Sequence, residues 1–80
     1  MKYTEYFMHT RKRADRSYIL DTWIEEAVDN PVYEEIQVDD RIRRWVWIES
    51  EQKYLRIVLL SDGQTIHNAF FDRRFKGVKK

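Results

Sequence analysis

Lys53-Tyr54-Leu55-Arg56-Ile57-Val58-Leu59-Leu60, then Ser61-Asp62-Gly63-Gln64, then Thr65-Ile66-His67-Asn68-Ala69-Phe70-Phe71-Asp72 is the stretch on which the fold turns. Two runs rich in β-branched and aromatic residues flank an Asp62-Gly63 break, which predicts antiparallel strands joined by a tight turn, because Gly63 tolerates positive φ. A two-residue turn there sets Leu59 opposite Ile66, Val58 opposite His67, Ile57 opposite Asn68 and Arg56 opposite Ala69. Alternation then gives an apolar face of Leu55, Ile57, Leu59, Ile66 and Phe70. The other face holds Tyr54, Arg56, Val58, His67 and Phe71, with Arg56 and His67 as diagonal neighbours. Asn68 falls on the apolar face in this register, where it needs hydrogen-bond partners or a place at the rim.

Working outward, Arg41 to Glu49 and Val32 to Val38 read as two further strands, with Asp39-Asp40 as their turn. The Arg41 to Glu49 strand has two readings. Either Arg43, Trp45 and Trp47 share the face of Arg56 and His67 as an aromatic and basic platform, or both Trp are core and Arg44 joins that face instead. Glu34 and Glu35 are within reach of Arg41, Arg43 and Arg44 across the first hairpin. Before Asn30-Pro31, the apolar positions Ile19, Leu20, Trp23, Ile24, Ala27 and Val28 fall at helical spacing. Asp15 or Ser17 is the expected cap, and Pro31 the stop. Met8 to Arg13 reads as a shorter helical turn. The predicted fold class is α+β, with one or two N-terminal helices packed on a four-stranded antiparallel sheet.

At 80 residues, with no Cys, two Gly and one Pro, the chain makes a single domain over residues 1–80, with 76–80 expected as a frayed tail. Without Cys, disulfide scaffolds and thiolate metal sites are excluded. No apolar run approaches the roughly 18 residues of a membrane span, and Met1-Lys2-Tyr3-Thr4 opens no signal-peptide pattern. A cytoplasmic protein is therefore expected, with no membrane partner.

Charge is segregated behind a net of +1. Residues 1–16 hold five bases and two acids, residues 17–40 eight acids and no base, and residues 41–80 ten bases and four acids. Separate faces of opposite sign follow, and the acidic one is expected on the outer helix surface and first strand, away from any phosphate ligand.

His9 and His67 are the only His residues and neither sits in a spaced ligand motif, so no metal site and no cofactor are expected. Gly63 and Gly77 are isolated, which removes a phosphate-cradling glycine loop, and no nucleophile elbow surrounds any Ser. Arg, His and Tyr on a sheet surface remain, and they suit RNA. The 2′-OH of RNA can attack its own phosphate, so the protein need supply only a proton acceptor, a donor and cations. His9 or His67 could exchange the proton, Arg56 with Arg13 could hold phosphate, and Tyr54 could stack on a base.

His9, Arg13 four residues on, Arg16, the Ile19 to Val28 helix, Asn30-Pro31 and the ending Asn68-Ala69-Phe70-Phe71-Asp72-Arg73 together resemble a bacterial domain family of unknown function related to the RelE and BrnT type toxins. Arg44-Trp45-Val46-Trp47-Ile48 and Lys53 to Leu59 are similar to BrnT sheet strands, and the resemblance spans roughly residues 3–75. It implies a ribonuclease fold, messenger RNA as target and an antitoxin-like protein partner. On this resemblance His9, Arg13 and Arg56 take family site positions, as does Asp72-Arg73. The chain differs from RelE-like toxins in having no Tyr after Tyr54. The expected catalytic set is His9, Arg13, Arg56 and His67, and the expected RNA contacts are Arg11, Lys12, Arg44, Tyr54, Arg73 and Arg74. The alternative expectation is a non-catalytic interaction module, such as a homodimer.

Overall fold

Thr4 decides where the first helix begins. Its side-chain Oγ1 accepts the Phe7 amide at 3.1 Å, which caps α1 (Glu5–Thr10) and places Glu5 at the positive end of the helix dipole. In the computed structural model, which describes residues 1–77, the element order is β1 (Lys2–Tyr3), α1, α2 (Asp21–Asp29), β2 (Tyr33–Ile36), β3 (Ile42–Ile48), β4 (Lys53–Leu59) and β5 (Thr65–Phe71). The fold class is α+β, as expected. The sheet has five strands rather than four and is mixed, in the order β1-β5-β4-β3-β2. The meander β2-β3-β4-β5 is antiparallel, but Lys2–Tyr3 runs parallel to β5. A two-residue strand has no readable periodicity, so only its pairing reveals it.

Neither Asp15 nor Ser17 caps the second helix. The chain from Arg11 to Leu20 is a run of turns, held by Arg16 and Ser17 amides on the Arg13 carbonyl, and α2 starts from Leu20 with no side-chain cap. Arg11, lying over the Tyr3 and Phe7 rings and paired with Asp21, ties the two helices together instead. The end before Asn30-Pro31 is as expected: the Asn30 amide reaches Glu26 O at 2.8 Å and Pro31 stops the helix.

One face of the sheet receives both helices, α1 over β5 and α2 over β3 and β4. Phe7, Ile19, Ile24 and Ala27 pack there on Val46, Ile48, Leu55, Ile57, Leu59, Ile66 and Ala69. The spread of Ile66 and Ala69, three residues apart on one strand yet both buried in this core, comes from a β-bulge. Leu59 pairs with Ile66 as expected, but Val58 pairs with Asn68, Ile57 with Ala69 and Arg56 with Phe70. One extra residue on β5 faces the Val58/Leu59 step, so His67 and Asn68 both leave the apolar face, Phe70 goes to the open face and Phe71 turns inward. This corrects the expected register and removes the misplaced Asn68.

The turns are longer than expected. Ser61 to Gln64 form a four-residue loop closed by the Leu60 amide on Thr65 O, with Gly63 at φ +70°. The Thr65 hydroxyl and the Thr65 and Gln64 amides all donate to Asp62, which holds its carboxyl down to about 2. At the first hairpin, Val38, Asp39 and Asp40 bridge the strands, with Asp40 at φ 67° supplying the left-handed residue. Among the described residues no helix is long and apolar enough to cross a membrane.

Candidate functional site

The face turned away from the helices is built from alternate residues of the four meander strands. Arg43, Trp45 and Trp47 point there, opposite Val58, Arg56 and Tyr54, and the bulge brings His67, Asn68 and Phe70 to the same side. Of the two readings of β3, the structure thus adopts the one that puts both Trp beside Arg56. Arg44 goes to the helix face, where its Nη1 donates to Val28 O at 2.8 Å and its Nε meets Glu34 at 2.7 Å. The expected RNA contact Arg44 is therefore on the opposite side of the sheet from Arg56.

Arg56 is the centre of this face. Its guanidinium lies 4.9 Å from the Phe70 ring centroid and 5.9 Å from that of Trp45, and its Nη1 is 3.6 Å from Asp72 Oδ2. Arg16 approaches the Phe70 ring at 5.2 Å, donating to Asn68 Oδ1 at 2.9 Å, so Phe70 has a guanidinium in contact from each of two elements. Arg43 is the diagonal neighbour of Arg56 across β3 and β4 and pairs with Glu35 at 3.0 Å. The Nε atoms of Arg43 and Arg56 are both buried and have no hydrogen-bond partner. Burial first, and then the Arg43 charge, push the Arg56 pKa down against the pull of Asp72 and Glu35.

Asp72 anchors the end of the site. It accepts from Trp45 Nε1 at 3.0 Å and from the Arg74 and Phe75 amides at 3.0 and 3.3 Å. Burial works against its ionisation, but these bonds and the Arg56 charge outweigh it and hold the carboxyl below its ordinary value. The turn it closes lays Phe75 on Trp45, with ring centroids 4.6 Å apart, and on Tyr54 at 4.9 Å. Trp45 is consequently buried at 4% exposure, while Trp47 at the strand end keeps 37%.

His67 sits on the same face but apart from Arg56. Phe70, not Ala69, is opposite Arg56, so the expected diagonal contact is not made. The His67 ring stacks on Tyr6 at 4.9 Å, and its Nδ1 lies 3.1 Å from Thr4 Oγ1. Burial and the nearby Arg41 charge lower its pKa below 6.5, with Asp39 opposing, which favours the neutral ring.

The remaining expected residues are scattered. His9 is exposed in the last turn of α1, Lys12 is exposed just beyond it, and Arg13 pairs with Asp15 at 3.3 Å. No hydrogen bond or ion pair joins any of them to Arg56 or His67 among the described residues. Arg11 is engaged by Asp21, Tyr3 and Phe7. Arg73 and Arg74 are exposed beside Asp72, and Tyr54 lies between Trp47 and Phe75. Within the expected tail, Lys76 and Gly77 follow the same turn and residues 78–80 lie outside the described residues.

Sequence reading puts Phe70 on the apolar face and gives Arg16 no place beside it, whereas it sets Arg43 on the Arg56 face in one reading of β3 and Asp72 at a site position through the resemblance. The polar Asn68 assigned to an apolar face was the signal that would have found the bulge, and with it Phe70 and Arg16. Among the described residues no three His, Asp or Glu gather as metal ligands. Comparison with family models, with curated proteins and with solved structures gives no match.

Proposed function

We propose that the chain binds single-stranded RNA across its open sheet face and cleaves it without a metal ion, as a toxin-like endoribonuclease restrained by an antitoxin-like protein. The pairing of Arg43 with Arg56 supports this reading most. Two neighbouring guanidiniums, each paired with one carboxylate and with side chains 30% and 23% exposed, keep further Nη–H donors that suit phosphodiester oxygens. The aromatic residues around them give unpaired bases surfaces to stack on.

In this reading the 2′ oxygen attacks the adjacent phosphorus, the P–O5′ bond breaks, and a 2′,3′-cyclic phosphate and a 5′ hydroxyl form. In the tautomer whose Nδ1–H donates to Thr4 Oγ1, His67 takes the 2′ proton at Nε2, and water protonates the leaving 5′ oxygen. Arg43 and Arg56 stabilise the charge that builds on the phosphoryl oxygens. The RelE and BrnT type fold and a cytoplasmic setting belong to the same proposal. Its test is incubation of the purified protein with end-labelled RNA in the presence of a chelator. The wild type should yield cyclic-phosphate ends, and Arg43→Ala with Arg56→Ala should slow cleavage by about a hundredfold or more. RNA left intact by folded wild-type protein would sink the nuclease.

A second reading, a non-catalytic interaction module, draws on β2. This strand lies at the sheet edge, and Val32, Ile36 and Val38 are exposed along and beside it. Such an edge can pair with a second copy. A dimer whose sedimentation is indifferent to salt, from a protein that leaves RNA uncut, favours this reading.

A further inference from the structure

Where the C-terminal segment leaves the sheet, a cleft of about 360 Å³ opens between the tip of the β3–β4 hairpin and residues 72–76. Trp47, Tyr54 and Phe75 give it aromatic walls. Trp47 and Tyr54 meet edge to face at 4.9 Å, and Glu49 accepts the Trp47 indole N–H, which fixes the ring at the mouth. The opposite wall is held close: a Cβ at Gly77, where φ is +83°, would lie 2.6 Å from the Tyr54 hydroxyl, so the segment rests on that ring. Arg73 and Lys76 are exposed at its rim, while Lys53, opposite Ile48 at the start of β4, turns to the helix side and lies over the Phe71 ring at 5.6 Å. Asp72 is the one acid in its lining, and its oxygens are already engaged by Trp45, Arg56 and two backbone amides.

Flat apolar walls with a cationic rim match a ligand that is planar, aromatic and anionic. We infer that this cleft takes one unstacked nucleotide of the RNA strand, its base against the Trp47 and Tyr54 wall and its phosphate towards Arg73 and Lys76. The volume is at the lower end of small-molecule sites, large enough for a single nucleotide. This rests on the RNA reading of the open face and adds a base-accepting pocket to it. The two are continuous, since Phe75 and Asp72 line the cleft and also touch Trp45 and Arg56.

The experiment compares two labelled twelve-residue strands by fluorescence anisotropy, one of oligoadenylate and one with the same backbone lacking its bases. The nuclease step is kept silent in both by 2′-O-methyl groups. The wild type should prefer the strand with bases, and Trp47→Ala should weaken its binding roughly five- to hundredfold while leaving the abasic strand unchanged. Trp47→Phe should restore most of the preference. Arg73→Ala with Lys76→Ala, both exposed positions, should weaken both strands and lower the salt dependence by about two phosphate contacts. Oligoadenylate binding unchanged in Trp47→Ala and in the Arg73→Ala, Lys76→Ala double variant would overturn the cleft and leave RNA binding by Arg43 and Arg56 standing. Failure of the wild type to bind either strand would overturn both.

Discussion

Asp72 does at the end of β5 what no single apolar contact could. One carboxylate fixes the Trp45 indole, offsets the Arg56 charge and closes the turn that brings Phe75 over the sheet. His67 is the other residue whose setting matters more than its type. Its pKa is lowered first by burial and then by the Arg41 charge, so between its folded value and 6.5 the unfolded chain binds more protons than the folded one. Its contribution to stability is therefore complete above about pH 6.5 and is lost as pH falls through the folded pKa. In urea unfolding between pH 5 and 7.5, the His67→Gln variant should lose the part of the wild-type rise that falls below pH 6.5. An identical pH dependence in both proteins would contradict this account.

At the scale of elements, caps and turns hold short pieces in place. Helix α1 has only six residues, too few to persist alone, and Thr4 serves it twice, through the Phe7 amide and through His67. Thr4→Val should cost about 1–2 kcal/mol in denaturant unfolding, with Thr4→Ser recovering most of it. At the β4–β5 turn the nearest atom to a Cβ built on Gly63 is Ile42 Cδ1 at 3.9 Å, an ordinary contact, so space is no obstacle to a larger residue. The φ of +70° is the obstacle. Gly63→Ala should lower stability by about 1 kcal/mol, less than the full left-handed penalty because the unfolded chain also loses freedom. Gly63→Asn should be milder, since Asn enters that region more easily.

For the molecule as a whole, an 80-residue domain has little stability in reserve, on the order of 4–12 kcal/mol. Ile57 is fully buried under the helices, and Ile57→Ala should remove about 2–5 kcal/mol, enough to leave much of the chain unfolded at 37 °C. Loss of cooperative thermal unfolding by circular dichroism is the measurement. The acidic block lies on the exposed side of α2 and along β2, where Glu34 and Glu35 are matched by Arg44 and Arg43. Among the described residues, Arg73, Arg74 and Lys76 of the C-terminal turn have no such carboxylate partner, whereas Arg16, Arg43 and Arg56 each have one.

Periodicity and composition by themselves determined the strands of the meander, the presence of α2 and its end before Pro31, the α+β class and the pairing of Glu34 and Glu35 with the arginines of β3. Those features depend on local spacing, which a linear chain displays in full. Only the tertiary structure decided which way β3 faces, because both of its alternating sets contain arginine and large apolar residues and either could have met the helices. It also decided the bulge at His67, through the need to bury Ile66 and Ala69 on the same side while Asn68 stayed out. Separating Arg56 from His67 and seating Arg16 against Phe70 followed from that one extra residue, since a shift of one along a strand moves every later side chain to the other face.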